Sequence, residues 1–130
     1  KRSSIKIYVE FKEDYEIESY PGVISQIITN FVMNSLIQGF EKDDNGNILI
    51  VINKNEDNLI IEYSDTGHGI SEENIKKIFD PFFTTKRGDG GSGLGMHIVY
   101  NLITQKLNGA ISCKSSLGDG VVFTVSIPLC

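Results

Sequence analysis

Hydrophobic and polar residues alternate along several short segments, a pattern typical of β-strands with one buried face. Residues 5–11 alternate in this way, and a second short extended stretch is predicted at Tyr15–Ser19. Residues 47–53 and 58–64 are rich in β-branched residues. Because only Asn55-Glu56-Asp57 and its flanks separate these two runs, the pattern predicts a β-hairpin.

Helical spacing of apolar residues appears in two longer segments. Pro21-Gly22 opens a predicted helix of about 17 residues that ends at Gly39, where glycine suits a left-handed C-cap. Apolar residues between Ile98 and Leu107 recur with the helical period, and Gly109 ends that helix. A short third helix begins at Ser71, a residue type favoured at the N-cap, with acidic residues in its first turn.

Turn residues complete the outline of the fold. Asn45-Gly46 is a predicted turn. The segments AISCKS and VVFTVSI close the chain as two strands joined by a turn at Gly118-Asp119-Gly120. This order of elements predicts a single α+β domain over 1–130: a two-layer sandwich in which about three helices cover one face of a mixed, mostly antiparallel sheet.

Composition narrows the possible functions. The chain has 130 residues, of which 40% are hydrophobic, and its net charge is −5. This hydrophobic content is enough for a folded core, and no apolar run approaches the roughly 20 residues needed to span a bilayer. An acidic surface argues against nucleic-acid binding. The basic pairs Lys76-Lys77 and Lys86-Arg87 are sufficient only for one small polyanion.

The N-terminal sequence and the two cysteines predict an intracellular location. The first residue is Lys1, and no charged and then apolar leader follows it, so we expect a cytoplasmic fragment without a signal peptide and without membrane contact. Any membrane anchor of the parent protein would lie outside this chain. Cys113 and Cys130 lack metal-ligand spacing, which predicts two free thiols in a reducing compartment.

A stripe of amides marks the long helix. Gln26, Asn30, Asn34 and Gln38 recur every four residues and therefore share one face. A solvated face is the ordinary explanation, yet such faces favour Lys and Glu, whereas Asn is a poor helix former. An amide oxygen is also a ligand that suits Mg²⁺.

The motif DTGHGI, from Asp65 to Ile70, directly follows a predicted strand. A carboxylate at a strand end can accept a hydrogen bond from an exocyclic amine such as that of adenine, and Gly67 and Gly69 permit close approach to a flat ring. A simple turn is the alternative, because Asp and Gly are common turn residues. Asp-Thr-Gly also resembles the active-site triplet of aspartic proteases, which predicts an all-β dimer instead.

Two further motifs lie between the predicted short and last helices. IFDPFFTTKRG, from Ile78 to Gly88, contains three phenylalanines that are ordinary core candidates, followed by the basic pair. Five glycines follow within eight residues, so we expect a mobile, phosphate-facing lid over about 84–92. GGSGLGM, from Gly90 to Met96, opens the last helix, where free N–H groups bind phosphate. It matches neither a P-loop nor a dinucleotide fingerprint.

The order of the four motifs is more specific than any one of them. Four motifs occur in order: an Asn box at Asn34, then DxGxG, FxPFF and GxGLGM. Their successive starts are about 31, 14 and 12 residues apart. This arrangement resembles the catalytic, ATP-binding domain of sensor histidine kinases, which has the Bergerat fold shared with gyrase-type topoisomerases, a mismatch-repair ATPase and a heat-shock chaperone. The resemblance covers residues 5–128.

The resemblance implies cofactors, partners and roles. The cofactors are ATP and Mg²⁺, and the partners are a histidine-bearing dimerisation domain, absent from this chain, and a response-regulator receiver domain. Asn34, as the Mg²⁺ ligand, and Lys86, facing the γ-phosphate, are the expected catalytic residues, and Asp65 holds adenine. The nucleotide-binding residues implied are Asn30, Asn34, Gln38, Asp65, Gly67, Gly69, Ile70, Ile78, Phe83, Lys86, Arg87, Gly91, Ser92, Gly93, Leu94, Gly95 and Met96.

Three positions depart from the family pattern. Gln38 stands where relatives usually carry His, Lys or Tyr, and Val121 where a Thr is common. Asn30 occupies the position at which hydrolytic relatives place a Glu, and an amide cannot act as that general base. Neither His68 nor His97 is followed by the acidic residue of a phospho-acceptor histidine.

Two other functions remain open from the sequence. The first is a small Bergerat-fold serine kinase that also sequesters a sigma factor. The second is a degenerate nucleotide-sensing module, which the uncharged Gln38 permits. The leading hypothesis is phosphoryl transfer from ATP to a histidine on another segment, a reaction that depends on positioning and electrostatics.

Overall fold

Five strands form one mixed sheet with the order β1-β2-β3-β5-β4 in the computed structural model, which describes residues 4–11, 21–40, 45–81 and 95–129. The strands are β1 (Ser4–Phe11), β2 (Asn45–Asn55), β3 (Asn58–Asp65), β4 (Ala110–Ser115) and β5 (Val121–Pro128). The helices are α1 (Pro21–Asn34), α2 (Glu72–Ile75) and α3 (Gly95–Asn101). A π-helical turn extends α1 through Ser35–Gly39, and another extends α3 through Leu102–Lys106.

Strand direction follows from the connections. β1 and β2 are parallel, with Ile7 opposite Ile48, and α1 lies between them in the sequence. A parallel pair needs such a crossover. β2 and β3 form the predicted antiparallel hairpin, in which Glu56 takes a positive φ of 57°. β5 lies antiparallel between β3 and β4.

One face of the sheet is buried along its central strands. Alternate residues of β3 and β5 are buried, as expected for a strand with one face in the core. On α1, Ile27 and Phe31 are fully buried, and the Phe31 ring stacks on Phe123 of β5 with the ring centroids 4.8 Å apart. Burying an aromatic side chain of this size contributes roughly 1.5–3 kcal/mol. This contact fixes α1 over the middle of the sheet.

The last helix packs onto the same side. Val99 and Ile103 are fully buried and belong to the same apolar cluster as Phe31. Phe79, in the turns after α2, lies 5.2 Å from the Tyr100 ring and 6.3 Å from the Phe123 ring, measured between centroids. Phe79 is therefore a partly buried aromatic residue that packs against the core and connects α3 to β5.

Two local predictions are wrong. Gly39 does not take a left-handed φ, and the residue after it, Phe40, is extended. Gly39 instead lies against the Asp65 loop, as described below. Asn45-Gly46 is not a turn but the start of β2, where Asn45 pairs with Ser4. A Cβ on Gly46 would lie only 2.4 Å from the Phe40 ring, so close packing explains this glycine.

The predicted architecture is confirmed. The sheet is mixed and mostly antiparallel, and helices cover its buried face. The predicted N-cap is also confirmed, because the Ser71 hydroxyl accepts a hydrogen bond from the Asn74 N–H at 3.2 Å. Helices in the core exclude the all-β protease fold. In the described part of the chain, no helix is long and apolar enough to cross a membrane. Tyr15–Ser19 and the predicted lid over about 84–92 lie outside the described residues.

Candidate functional site

Asp65 is the last residue of β3 and is only 7% exposed. Its Oδ2 accepts a hydrogen bond from the Ser35 hydroxyl at 2.6 Å, and its Oδ1 accepts one from the Gly67 N–H at 2.9 Å. A buried carboxylate is costly unless such donors satisfy it. Because a carboxylate offers about four lone-pair sites, both oxygens can still accept a further donor. Asp65 is thus a fixed hydrogen-bond acceptor.

The loop after Asp65 is held against the end of α1. The His68 N–H donates to the Gly39 carbonyl at 2.7 Å. A Cβ on Gly67 would lie 2.4 Å from that same carbonyl oxygen. A side chain at position 67 would therefore clash with the backbone of Gly39. This close approach explains why glycine is needed there, in addition to its predicted role in the binding pocket.

The turn between β4 and β5 holds the other side of this loop. Gly69 takes a φ of 78°, and a Cβ there would lie 2.1 Å from the Ser116 carbonyl oxygen. The Gly118 N–H donates to the His68 carbonyl at 2.7 Å. The Ser115 hydroxyl accepts from the Ile70 N–H at 2.7 Å and donates to the Gly120 carbonyl at 2.5 Å. Residues 65–70 are therefore fixed by backbone contacts on both sides.

The apolar residues assigned to the site differ in burial. Ile78 and Met96 are 8% and 6% exposed and belong to the core cluster, and Ile70 packs against that cluster. Gly95 begins α3, and no described atom would lie within 4 Å of a Cβ added to it. Packing against the described residues therefore does not explain Gly95, and its role at the nucleotide stays a prediction. For Ile78 and Met96, a core role is established.

The amide stripe on α1 is only partly solvated. Gln26 is exposed, whereas Asn30 and Asn34 are half-buried, and α1 packs beside α3. A wholly solvated face would leave all three exposed. The position of the Gln38 side chain lies outside the described part of the structure.

Sequence reasoning missed Ser35 and Tyr63. Ser35 continues the buried series of Ile27 and Phe31 at helical spacing and is 2% exposed. Its hydroxyl lies 2.5 Å from the Tyr63 hydroxyl, which donates to the Phe31 carbonyl at 3.0 Å. A polar residue at a core position of a helix is a signal that could have identified it, because buried hydroxyls need partners.

Burial controls the ionisation of two neighbours of Asp65. Burial raises the pKa of Tyr63 well above its ordinary value, and the Asp65 charge adds to this, while the Ser35 hydrogen bond opposes it. Burial also raises the pKa of the Cys113 thiol to about 12, with a smaller contribution from the Asp65 charge. Both groups are therefore protonated near neutral pH, and Tyr63 is a hydrogen-bond donor.

His97 connects α3 to the turns after α2. Its Nδ1 lies 3.0 Å from the Phe79 carbonyl oxygen, and its Nε2 lies 3.3 Å from the Asn101 side-chain nitrogen. An amide nitrogen can only donate, so this arrangement assigns a proton to Nδ1 and makes Nε2 an acceptor. Both ring nitrogens have partners, which agrees with the predicted structural role of this histidine.

The remaining predicted site residues lie outside the described part of the chain: Phe83, Lys86, Arg87, Gly91, Ser92, Gly93 and Leu94.

The fold agrees with the comparisons with known proteins. The family model described as histidine kinase-, DNA gyrase B-, and HSP90-like ATPase matches residues 20–130. The chain belongs to this family of ATPase domains. The predicted resemblance and the fold class are thereby confirmed, and the use of a nucleotide follows from the family.

Individual relatives are sensor kinases. The sensor histidine kinase ZraS of Salmonella typhi is 36% identical over 114 residues, which is 87% of this chain and 23% of ZraS. The solved catalytic domain of histidine kinase ThkA is 32% identical, with a TM-score of 0.81, over 96% of this chain and 79% of that one. The chain spans less than a quarter of the length of the curated relatives it matches most strongly.

Two further solved structures contain a ligand or a partner. Full-length ShkA in complex with AMPPNP is 26% identical, with a TM-score of 0.81, over 97% of this chain and 26% of that one. ThkA in complex with the response regulator TrrA is 29% identical, with a TM-score of 0.75, over 97% of this chain and 34% of that one. Among the solved relatives are thus a kinase bound to a nucleotide analogue and a kinase bound to a response regulator.

Proposed function

We propose that this chain binds Mg-ATP and donates the γ-phosphoryl group to a histidine on a separate dimerisation domain, in two-component signal transduction. The observation that carries the proposal is Asp65, a buried carboxylate at a strand end that is fixed by two donors and still able to accept a third. Adenine offers such a donor in its exocyclic amine. Guanine has a carbonyl oxygen at the same position, so it would face the carboxylate with a second acceptor.

Asn34 is the proposed Mg²⁺ ligand. It is half-buried on α1, one residue before Ser35, which places it near the Asp65 end of the helix. The described residues contain no cluster of three His, Cys, Asp or Glu side chains. A single amide oxygen is compatible with Mg²⁺, which keeps several waters and takes other ligands from substrate phosphates. The metal would neutralise phosphate charge, and Lys86 is proposed to face the γ-phosphate.

The phospho-acceptor is proposed to be external. Both ring nitrogens of His97 contact neighbours, Phe79 and Asn101, which supports a structural role for this histidine over that of a phospho-acceptor. Asn30 cannot activate water as a carboxylate base does. A histidine brought by another domain would supply the proximity that such a reaction requires.

The proposed protein partners are that dimerisation domain and a response-regulator receiver domain. The complex of ThkA with its response regulator supports the second partner. We further propose a cytoplasmic location, in agreement with a family that uses ATP. The remaining nucleotide contacts are those predicted from the motifs.

Incubation with γ-labelled ATP tests the proposal. The purified chain alone should acquire no label and release little phosphate. After addition of the separately expressed dimerisation domain of its parent kinase, acid-labile label should appear on that domain only. The Asp65→Asn chain should support no labelling, whereas Asp57→Asn, at an exposed position in the β2–β3 turn, should behave as the parent chain.

Three outcomes would contradict the proposal. Acid-stable label on a serine of a partner would favour a serine kinase. Label on His97 of the lone chain would refute an external acceptor. Equal binding of ATP by the Asp65→Asn and parent chains in calorimetry would refute the adenine assignment.

A further inference from the structure

Ser35 and Asp65 are the buried polar side chains of the described core, 2% and 7% exposed. They are 30 residues apart in the sequence, and the Ser35 Oγ lies 2.6 Å from Asp65 Oδ2. Ser35 is the first residue of the π-helical turn that extends α1. Such π-helical insertions occur frequently at functional sites.

The direction of the hydrogen bonds follows from counting protons. An ionised carboxylate only accepts, so the single hydroxyl proton of Ser35 must point to Asp65. The 2.5 Å contact between the Ser35 and Tyr63 hydroxyls then requires the proton of Tyr63. Tyr63 keeps that proton, because burial raises its pKa. The Tyr63 proton can be shared between Ser35 Oγ and the Phe31 carbonyl, which lies 3.0 Å away.

These hydrogen-bond donors determine the orientation of the Asp65 carboxylate. The Ser35 hydroxyl occupies one site on Oδ2, and the Gly67 N–H occupies one on Oδ1. With a donor on each oxygen, the carboxylate group cannot rotate without losing a hydrogen bond. Its free lone pairs therefore have fixed directions, which favours a ligand that donates a hydrogen bond there.

We propose that Ser35, supported by Tyr63, is a positioning residue that orients Asp65 and thereby increases the preference for a 6-aminopurine over a 6-oxopurine nucleotide. The inference rests on the proposed binding of ATP at Asp65. It differs from that proposal by assigning nucleotide selectivity to a residue of the π-helical turn after α1, whose hydroxyl donates to the carboxylate.

Calorimetry with ATP, GTP and a purine triphosphate lacking the 6-amino group tests this role in the Ser35→Ala chain. We expect ATP binding to weaken by about tenfold, because a carboxylate no longer held at Oδ2 must lose its rotational freedom when the nucleotide binds. Binding of the analogue lacking the amino group should change much less. The matched control is Ser25→Ala, which removes an exposed hydroxyl from the same helix and should leave the ATP preference unchanged.

Tyr63→Phe provides a second test that does not depend on the folding of the first variant. It keeps the ring in the core and removes the hydroxyl that contacts Ser35 and the Phe31 carbonyl, so we expect a smaller loss of ATP preference in the same direction. Circular dichroism of each variant would verify the fold.

The outcomes separate the inference from the function on which it rests. Suppose that the parent chain binds ATP. If Ser35→Ala keeps the full preference for ATP over GTP, or if its affinities for ATP and for the analogue fall equally, the positioning role is wrong and the proposed function stands. If the parent chain does not bind ATP, both are overturned.

Discussion

At the scale of single residues, the candidate site depends on a small number of buried polar contacts. In the part of the chain that the structure describes, every buried side-chain nitrogen or oxygen has a hydrogen-bond partner. Leaving one such partner unpaired costs about 1–3 kcal/mol. Substitutions at Asp65 or Ser35 are therefore expected to affect stability as well as binding, so each test needs a measurement of the fold.

The half-buried amide of Asn34 leads to a metal-specific prediction. Asn34→Ala should weaken ATP binding strongly in the presence of Mg²⁺ and only slightly in its absence, because only a metal-bridged contact is lost. Calorimetry with and without Mg²⁺ measures the difference. Gln26→Ala, an exposed amide of the same stripe, is the control and should bind as the parent chain does. Equal losses for Asn34→Ala in both conditions would indicate structural damage and not metal binding.

At the scale of elements, residues 65–70 are held between the end of α1 and the β4–β5 turn. Backbone atoms make contacts on both sides, through the Gly39 carbonyl on one side and the Gly118 N–H on the other, and the Ser115 hydroxyl adds a side-chain contact. Backbone contacts cannot be restored by a change of side-chain rotamer. The loop therefore tolerates few added atoms.

Two glycines with positive φ provide a matched comparison. Gly69→Ala should destabilise the fold by about 2–5 kcal/mol, because it adds a left-handed residue and a clash with Ser116. Gly118→Ala has a similar φ of 88° but open space around the added carbon, so its cost should be about 1–2 kcal/mol. Urea denaturation of both variants checks the difference. Equal costs would mean that the loop moves away from Ser116 without penalty.

At the scale of the whole molecule, burial of ionisable groups predicts a loss of stability in alkali. The ordinary pKa of the Cys113 thiol is 9.0, and burial raises it to about 12, while Tyr63 is also raised above its ordinary value of 10.0. Between these values the folded chain binds more protons than the unfolded chain. The free energy of unfolding therefore falls as pH rises above about 9.

Urea denaturation between pH 8 and pH 11 measures this slope. Cys113→Val and Tyr63→Phe should each reduce it, because each removes a group that resists deprotonation in the core. The matched control is Tyr8→Phe, at a tyrosine that is 50% exposed on β1, and it should leave the slope as in the parent chain. An unchanged slope in both core variants would show that other groups control alkaline unfolding.

Local patterns in the sequence determined the elements and the identity of the domain. Alternation predicted β1, β-branched runs predicted β2 and β3, and helical periodicity predicted α1 and α3, because these patterns depend on neighbours close in the chain. The order of the motifs predicted the family, which the match over residues 20–130 confirms. The roles of the site residues stay predictions.

Contacts between distant residues were decided only by the tertiary structure. Asn45-Gly46 is a typical turn sequence, yet pairing with β1 makes it part of a strand. The helical period places Ser35 on the buried face, but only the packing of the helix over β3 brings its hydroxyl to Asp65. Close packing requires a glycine at position 67 only because its loop contacts the backbone at the end of the helix. Each of these contacts joins residues that lie 28 to 41 positions apart in the sequence. Local propensity contains no information about which segments will meet.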